Sequence, residues 1–298
     1  MRDAADSWMK VRGGDADSVD FGLIDAELIT RLSDLNAVPG SGRAAQTVPI
    51  PFTGQELGRV PLGTPEDVSR AVERARRAQI PWAGRPFGER ADIIRRFHDL
   101  VFEQREEVLD LVQLESGKAR RHAIEEVWDV ALVARHYAFN GERRLRTRRR
   151  RGAFPIFTRA WESHLPWGVV GIIAPWNYPF SLAAGDAVPA LLAGNATVLK
   201  PDLQTTFTAL LAGALLAEAG LPDGLFEVVS GEGPELGPAL IGGVDYLSFT
   251  GSTETGRRIA RQAAERLLPC SLELGGKNPM LVLGDADVDA AVDGAVRG

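Results

Sequence analysis

Cysteine is almost absent from this sequence, since Cys270 is the only one in 298 residues. A single cysteine excludes an internal disulfide, which is typical of proteins from the reducing cytoplasm. Residues 1–20 also lack the apolar core of a secretion signal, so we expect a cytoplasmic location. No apolar run approaches the length that spans a bilayer, and this shortage predicts that the protein has no membrane partner.

Positive charge is in deficit, because the net charge is −6 at pH 7, which weighs against nucleic acid as a partner. The exception is the arginine-rich run RRLRTRRRR, residues 143–151. A nucleic-acid patch is one interpretation of this run. The other is a solvated connector that pairs with acidic groups of another subunit. We favour the connector, because no aromatic or helix-turn-helix pattern supports the reading of bases.

The sequence does contain ordinary material for a globular core. Hydrophobic residues make up 45% and charged residues 25%, and the length predicts one large domain or two smaller ones. Residues 1–45 have no sustained period, and we interpret them as a loose arm with one short helix near Asp25–Asn36. The next part of the chain predicts two short strands within 47–62 around Thr53–Gly54, then helices from the Thr64 cap to about residue 79, at 87–104, at 105–116 and at 120–139.

After Gly168 the pattern changes to short apolar runs rich in Val, Ile and Leu, separated by longer helical segments. Buried strands that alternate with helices predict an α/β fold of parallel βαβ units, and ligands of such sheets bind beyond the carboxyl ends of the strands. The runs are GVVGIIA, ATVLK, LFEVV, DYLSFT and SLEL, and the helical segments are 180–193, 205–219, 234–241 and 254–266.

Asn177 lies in the loop APWNYP, directly after the run GVVGII. An asparagine at the carboxyl end of a parallel strand can aim its amide into the ligand crevice, where it would stabilise the oxyanion of a carbonyl that turns tetrahedral. Alternatively, Asn177 belongs to a loop that is held by backbone hydrogen bonds and has no chemical role. Taken alone, the loop does not favour one interpretation over the other.

Lysine is scarce, and Lys200 is one of four, with Lys10, Lys118 and Lys277. It ends the strand-like run ATVLK, where an ammonium group could bind a ribose hydroxyl or a phosphate. A solvated surface lysine is the alternative. Because two of the few lysines fall inside motif-like segments, we favour a functional Lys200.

The segment SFTGSTETGRR, residues 248–258, leads from a strand into a helix through Gly251 and Gly256. Arginines stand where an ATP-binding phosphate loop needs Lys and Ser or Thr, so we exclude an ATP-hydrolysing site. Ser252 can cap the helix, whose free N–H groups favour a pyrophosphate. DADVD, residues 285–289, lacks the glycine and the closing glutamate of a calcium loop, and no metal site is predicted.

Glu273, in SLELGGKNP, is a candidate general base. Cys270 lies three residues before it, and residues three apart in a strand face opposite sides. We therefore expect Cys270 to be a small packed residue and not the partner of Glu273.

Together these motifs resemble the aldehyde dehydrogenase superfamily. PWNYP, GNATVLKP, FTGSTETG and LELGGKNP occur in its order, ESGK at residues 115–118 matches a further motif, and the likeness runs from about residue 47 to the last residue. The resemblance implies a Rossmann-like, doubly wound parallel sheet with N-terminal helices that binds NADP or NAD. It assigns Asn177 as the oxyanion donor and Glu273 as the general base. The residues that it places at the cofactor are Pro175, Trp176, Lys200, Leu203, Gly251, Ser252, Gly256 and Leu274.

The same resemblance implies the reaction and the division of the chain. A cysteine thiolate attacks an aldehyde, a hydride leaves for the nicotinamide, and Glu273 activates the water that releases the acid. The nucleophilic cysteine is expected beyond Gly298, so the catalytic domain would be truncated and the full-length form a homo-oligomer. The predicted parts are an arm at 1–45, a cofactor-binding domain at 46–142 and 167–274, an arginine-rich connector and oligomerisation strand at 143–166, and the start of the catalytic domain at 275–298.

Within the superfamily, the motifs most resemble the second succinate-semialdehyde dehydrogenase type of actinobacteria, so the expected substrate is succinate semialdehyde. Gly185 and Asp186 stand where some such enzymes place an arginine for the substrate carboxylate. Leu203 replaces a glutamate that binds the adenosine ribose in members that prefer NAD, which favours NADP. Alternatives are a broad-range NAD-dependent aldehyde dehydrogenase and an inactive cofactor-binding fragment.

Overall fold

The computed structural model describes residue 24, residues 26–154 and residues 157–297. Most of the predicted arm, residues 1–23 and Asp25, lies outside the described residues, so its loose character stays a prediction. The short helix predicted there is present as α1, at Ala26–Ser33. The strands predicted within 47–62 form a two-stranded antiparallel sheet, with β1 at Ala45–Pro49 and β2 at Glu56–Pro61.

Four helices follow, and the last three pack against one another as a helical layer, whereas the first packs against the parallel sheet described below. The second begins at Phe87, and the aromatic ring of that residue packs against Gly141, where an added Cβ would lie only 2.8 Å from the ring. A larger residue at position 141, inside the last of these helices, would force the ring to move. The helices are α2 (Pro65–Ala83), α3 (Phe87–Glu103), α4 (Arg105–Ser116) and α5 (Arg120–Leu145).

The predicted end of α5 at residue 139 is wrong, because the helix continues to Leu145. Arg143 and Arg144 lie in its last turn, where positive charge is favourable near the negative end of the helix dipole. The arginine-rich run therefore starts as helix. It continues as β3 (Arg148–Arg150), which pairs antiparallel with β4 (Ala160–Glu162).

A five-stranded parallel sheet forms the second half of the structure, which confirms the predicted α/β class. The strand order is β7-β6-β5-β8-β9, so the chain starts in the middle, moves to one edge and then returns to build the other half. Every residue of β6 is buried, as expected for a strand covered on both faces. The strands are β5 (Val169–Ile173), β6 (Ala196–Lys200), β7 (Phe226–Val228), β8 (Tyr246–Gly251) and β9 (Cys270–Leu274).

The connecting helices agree with the predicted segments to within a few residues. The exception is α10, a helix that the sequence analysis did not predict. Among the described residues, no helix is long and apolar enough to cross a membrane. The helices are α6 (Pro179–Leu192), α7 (Thr206–Glu218), α8 (Gly233–Gly243), α9 (Thr253–Glu265) and α10 (Val288–Arg297).

Asp245 joins the amino ends of the two central strands. Its carboxylate accepts hydrogen bonds from the Val169 backbone N–H at 2.8 Å and from the Arg76 guanidinium at 2.8 and 3.2 Å. Gly168, with φ at +125°, passes so close that an added Cβ would lie 2.4 Å from Oδ2 of Asp245. These contacts set the register of β5 beside β8.

Glu115 joins the helical layer to the sheet half of the molecule. It is fully buried on α4, and each carboxylate oxygen accepts one backbone N–H from the first turn of α7, from Phe207 at 2.8 Å and from Thr208 at 2.6 Å. The first N–H groups of a helix have no partner within the helix. Glu115 therefore supplies the missing acceptors for α7 from a different element.

Candidate functional site

A cleft lies at the carboxyl edge of the sheet, between the loops that leave β5 and β8. These strands are neighbours in the sheet, but the chain leaves β5 towards one edge and β8 towards the other, which opens a crevice between their loops. The cleft has a volume of about 420 Å³. It is lined by Pro175, Trp176, Asn177, Thr250, Gly251, Ser252, Glu273, Leu274 and Gly275.

Most residues named from the sequence as candidates therefore line one cleft. The exceptions are Lys200, Leu203 and Gly256. A larger cleft of about 760 Å³ lies between α1 and β2, and none of the candidate residues lines it. We assign the site to the smaller cleft, because polar groups at the strand ends converge there.

Ser252 is the N-cap of α9, and its hydroxyl accepts a hydrogen bond from the Thr255 backbone N–H at 3.2 Å. The capping predicted for Ser252 is confirmed. Because Gly251 and Ser252 both line the cleft, the amino terminus of α9 opens towards it. This arrangement of free N–H groups and a positive dipole end suits an anion.

Gly256 affects the cleft indirectly, through Leu274. An added Cβ at Gly256 would lie 2.4 Å from Cδ2 of Leu274. The missing side chain makes room for Leu274 beside α9, and Leu274 in turn lines the cleft. Glycine at position 256 thus fixes one apolar wall of the site.

Glu273 and Cys270 lie on opposite faces of β9. Glu273 is exposed in the cleft, in register with Thr250 of β8. Cys270 is half-buried, packs against the hydrophobic core, and does not line the cleft. This placement agrees with the strand alternation expected from the sequence.

Asp186 is a charged neighbour of the site whose role the sequence analysis missed. It lies on α6, and its carboxylate accepts a hydrogen bond from the Ser248 hydroxyl on β8 at 2.7 Å. Burial raises the pKa of Asp186, and the negative charge of Glu273 raises it further, whereas the bond from Ser248 lowers it. The sequence showed only that an arginine was missing from this stretch, since the proximity of α6 to β9 depends on the strand order.

Lys200 ends β6 and is almost buried, with 8% of its surface exposed. Burial lowers the pKa of Lys200, and the carboxylates of Asp202 and Glu232 oppose that shift. The amine lies near the first residue of α8, because a Cβ added to Gly233 would be 4.0 Å from Nζ. Leu203 is packed into the core with 7% exposed, so it offers a ligand little surface.

No group of three or more His, Cys, Asp or Glu side chains that could hold a metal ion occurs in the described ranges. The polar groups of the cleft are instead an amide, a carboxylate, hydroxyls and the N–H groups of a helix end. Such a set binds an anionic organic group and can support proton transfer and oxyanion stabilisation.

The family model, the related sequences and the similar structures all indicate the same family. The model of the aldehyde dehydrogenase family matches residues 38–298. A putative succinate-semialdehyde dehydrogenase (NADP(+)) of Mycolicibacterium smegmatis is 48% identical over 269 residues, which cover 90% of this chain and 51% of that protein. The chain spans about half the length of the curated relatives it matches.

Solved structures show the same likeness. The crystal structure of betaine aldehyde dehydrogenase from Staphylococcus aureus in complex with NAD+ has a TM-score of 0.85 at 32% identity, covering 91% of this chain and 55% of that one. Succinate-semialdehyde dehydrogenase from Burkholderia pseudomallei has a TM-score of 0.81 at 36% identity, covering 85% and 53%.

Proposed function

The chain belongs to the aldehyde dehydrogenase family, and from that premise we propose that its cleft binds NADP or NAD for the oxidation of an aldehyde to a carboxylic acid. The observation that carries the proposal is the convergence of Asn177, Glu273 and the amino terminus of α9 in one cleft. The cleft fits the cofactor, because the capped end of α9 opens towards it and suits a pyrophosphate.

The residues of this chain would divide the work as follows. When bound, NADP or NAD would supply the hydride acceptor that the oxidation of the aldehyde needs. The Asn177 amide would donate a hydrogen bond to the aldehyde oxygen as negative charge develops on it. The Glu273 carboxylate would take a proton from the water that releases the acid. Cys270 receives no role, because it packs against the core, and the prediction of a nucleophile beyond Gly298 stays a prediction.

For the substrate, we propose succinate semialdehyde, because relatives from Mycolicibacterium and Mycobacterium and a solved structure from Burkholderia carry that name. A broad-range aldehyde dehydrogenase is the alternative. Asp186 favours it, since a carboxylate close to Glu273 would repel a substrate carboxylate. Cofactor binding without turnover is the remaining alternative for this chain.

For the cofactor, we propose a modest preference for NADP over NAD. The relatives named above are NADP(+) proteins by name, and Leu203 places no carboxylate at the position where one would repel a 2′-phosphate. Asp202 and Glu232 lie near the Lys200 ammonium group and oppose the preference. We therefore expect NADP to bind about tenfold more tightly, or about 1.4 kcal/mol.

Titration calorimetry of the 298-residue chain with both oxidised cofactors tests this function. Lys200→Ala is expected to weaken the binding of both, because it removes the cation at the end of β6. Glu232→Gln is expected to strengthen the binding of NADP by about threefold to tenfold, and more than that of NAD, since it removes a negative charge near the Lys200 ammonium group and NADP carries the additional phosphate.

Matched controls separate the site from the overall charge. Arg77→Ala removes an exposed cation on α2, and Glu235→Gln removes the next acid of α8. Both are expected to bind as the parent chain does. Failure of the parent chain to bind either cofactor would overturn the proposed function, and unchanged affinities in Lys200→Ala would refute the role of Lys200.

We also propose that the protein forms a homo-oligomer through the segment 143–166 and that it is located in the cytoplasm. Large apolar side chains are exposed in this segment and just after it, as at Phe154, Trp161 and Trp167. Exposed apolar surface of this kind marks interaction sites. The prediction that arginines of this segment pair with another subunit stays open, although Arg150 already pairs with Glu162 within the hairpin at 2.6 Å.

A further inference from the structure

We propose that Lys118 and Glu126 are a positioning pair that holds the loop of Trp176 and Asn177 in the geometry of the cleft. Neither residue lines the cleft; Glu126 lies on α5, and Lys118 lies in the short connection between α4 and α5. The inference rests on the proposed function, because it concerns the loop that would carry the cofactor contact and the oxyanion donor.

Glu126 determines where the helix after this loop begins. It is fully buried on α5, and its Oε2 accepts the backbone N–H groups of Phe180 at 2.9 Å and of Ser181 at 3.1 Å. Both belong to the first turn of α6, which has no acceptor for them within the helix. The carboxylate also carries negative charge at the positive end of the α6 dipole. Glu126 therefore fixes the chain three residues after Asn177.

Lys118 holds the other side of the same turn. Its Nζ donates a hydrogen bond to Oε1 of Glu126 at 2.5 Å and lies 3.7 Å from the centroid of the Tyr178 ring. A cation over the face of an aromatic ring is attracted to it, more strongly where water is excluded. Tyr178 follows Asn177 directly, so the ammonium group joins the buried carboxylate to the loop.

The two charges depend on each other. Burial raises the pKa of Glu126, and the hydrogen bond and charge of Lys118 counteract that rise. The Lys118 side chain is itself only 17% exposed. Loss of either partner leaves the other as an uncompensated charge in a mostly buried place, and such a charge is relieved by movement of the loop or entry of water.

One further contact ties α5 to the start of α6. The Ser181 hydroxyl donates a hydrogen bond to the Asp129 carboxylate, one turn of α5 beyond Glu126. The loop from Pro175 to Tyr178 is thus bounded by β5 on one side and by three side chains of the helical layer on the other. Trp176 and Asn177 are exposed in the cleft, so the contacts at the two ends of the loop fix their positions.

The test measures cofactor affinity in variants that keep the shape of each side chain. Lys118→Met and Glu126→Gln remove one charge each, Lys118→Arg keeps the cation, and calorimetry with NADP at a temperature where every variant is folded gives Kd. We expect Lys118→Met and Glu126→Gln to weaken binding by about tenfold, and Lys118→Arg to recover most of the loss. Amide hydrogen exchange of Phe180 and Ser181 is expected to accelerate in the first two variants.

A control separates positioning from stability. Glu227→Gln breaks the ion pair with Arg74, whose bonds of 3.0 and 2.6 Å join β7 to α2 away from the loop, and it should lower stability without changing Kd. If Lys118→Met and Glu126→Gln bind NADP as tightly as the parent chain, the positioning role is wrong, whatever their melting temperatures. If the parent chain itself does not bind, the proposed function fails, and unchanged exchange at Phe180 and Ser181 would still refute the pair.

Discussion

Replacement of Glu115 by alanine is expected to lower the free energy of unfolding by roughly 2–5 kcal/mol. The backbone N–H groups of Phe207 and Thr208 each lose their acceptor in a part of the molecule from which water is excluded. An unsatisfied buried donor costs roughly 1–3 kcal/mol, and the lost side-chain volume adds to this. Urea denaturation at pH 7 measures the change.

The matched control is Glu115→Gln, which keeps the shape of the side chain and one acceptor oxygen. We expect it to lose less than half as much stability as Glu115→Ala. A second control, Glu103→Ala, removes an exposed acid of α3 and should cost roughly 0–1 kcal/mol. Stability of Glu115→Ala within 1 kcal/mol of the parent chain would contradict the capping role.

The stability contribution of Glu115 also depends on pH. Burial raises the pKa of Glu115 to about 8, against the opposing hydrogen bonds from Thr208 and Phe207. A pKa that is higher in the folded than in the unfolded chain means that the folded chain binds more protons in between. This contribution is therefore complete below the unfolded value of 4.5 and is lost as the pH rises towards 8. The parent chain should lose more stability than Glu115→Gln between pH 6 and pH 8.5.

Ser252→Asp is expected to weaken the binding of NADP and NAD by roughly tenfold to a hundredfold without unfolding the protein. Aspartate is as good an N-cap as serine, so α9 should keep its start. Its carboxylate, however, would stand where the proposed pyrophosphate approaches the helix end, and like charges at such distances repel by a few kcal/mol at most. Calorimetry gives the affinity, and a thermal melt confirms the fold.

Ser252→Asn is the control for this prediction. It has the same size as Ser252→Asp and caps helices equally well, but it carries no charge. We expect it to bind within a few-fold of the parent chain. Equal affinities for the Asp and Asn variants would show that no anionic part of the cofactor lies at this helix end.

The α/β class could be predicted because buried parallel strands are written as short continuous apolar runs, such as ATVLK in β6. The order of those strands in the sheet cannot be predicted from these runs. Asn177 and Glu273 converge because β5 and β8 are neighbours and β9 pairs with β8, and these are tertiary facts. From the residues alone, each motif could be placed only at a strand end. Only the family resemblance predicted which motifs share one site.

The buried acids were not predicted. Glu115 and Glu126 lie on helices that also carry exposed acids, such as Glu106 and Glu125, and single charges on amphipathic helices are normally solvated. A weak signal existed at Glu126, which shares a helix face with the buried Ala123 and Val130. An acid on an apolar face needs a partner, but the partner here is the backbone of α6, which no pattern of side chains can reveal.

The end of α5 was predicted too early because a tertiary contact at Gly141 is not visible in the sequence. Asn140 and Gly141 are typical of a helix end, yet here the helix continues and the Phe87 ring packs against the glycine. At Leu203, the sequence predicts the residue type at the site but not its burial. The sequence shows that position 203 has no carboxylate, but only the structure shows that the leucine side chain is in the core.

The most direct test of the central claim is to map NADP binding on the 298-residue chain by backbone amide NMR. The account predicts that the amide signals of Gly251 to Thr255 and of Trp176 and Asn177 move or broaden on titration with NADP. Signals of the larger cleft, at Ser33, Asn36 and Arg59, should stay in place. Changes confined to that larger cleft, or no changes at all at millimolar NADP, would contradict the assignment of the cofactor site to the crevice between β5 and β8.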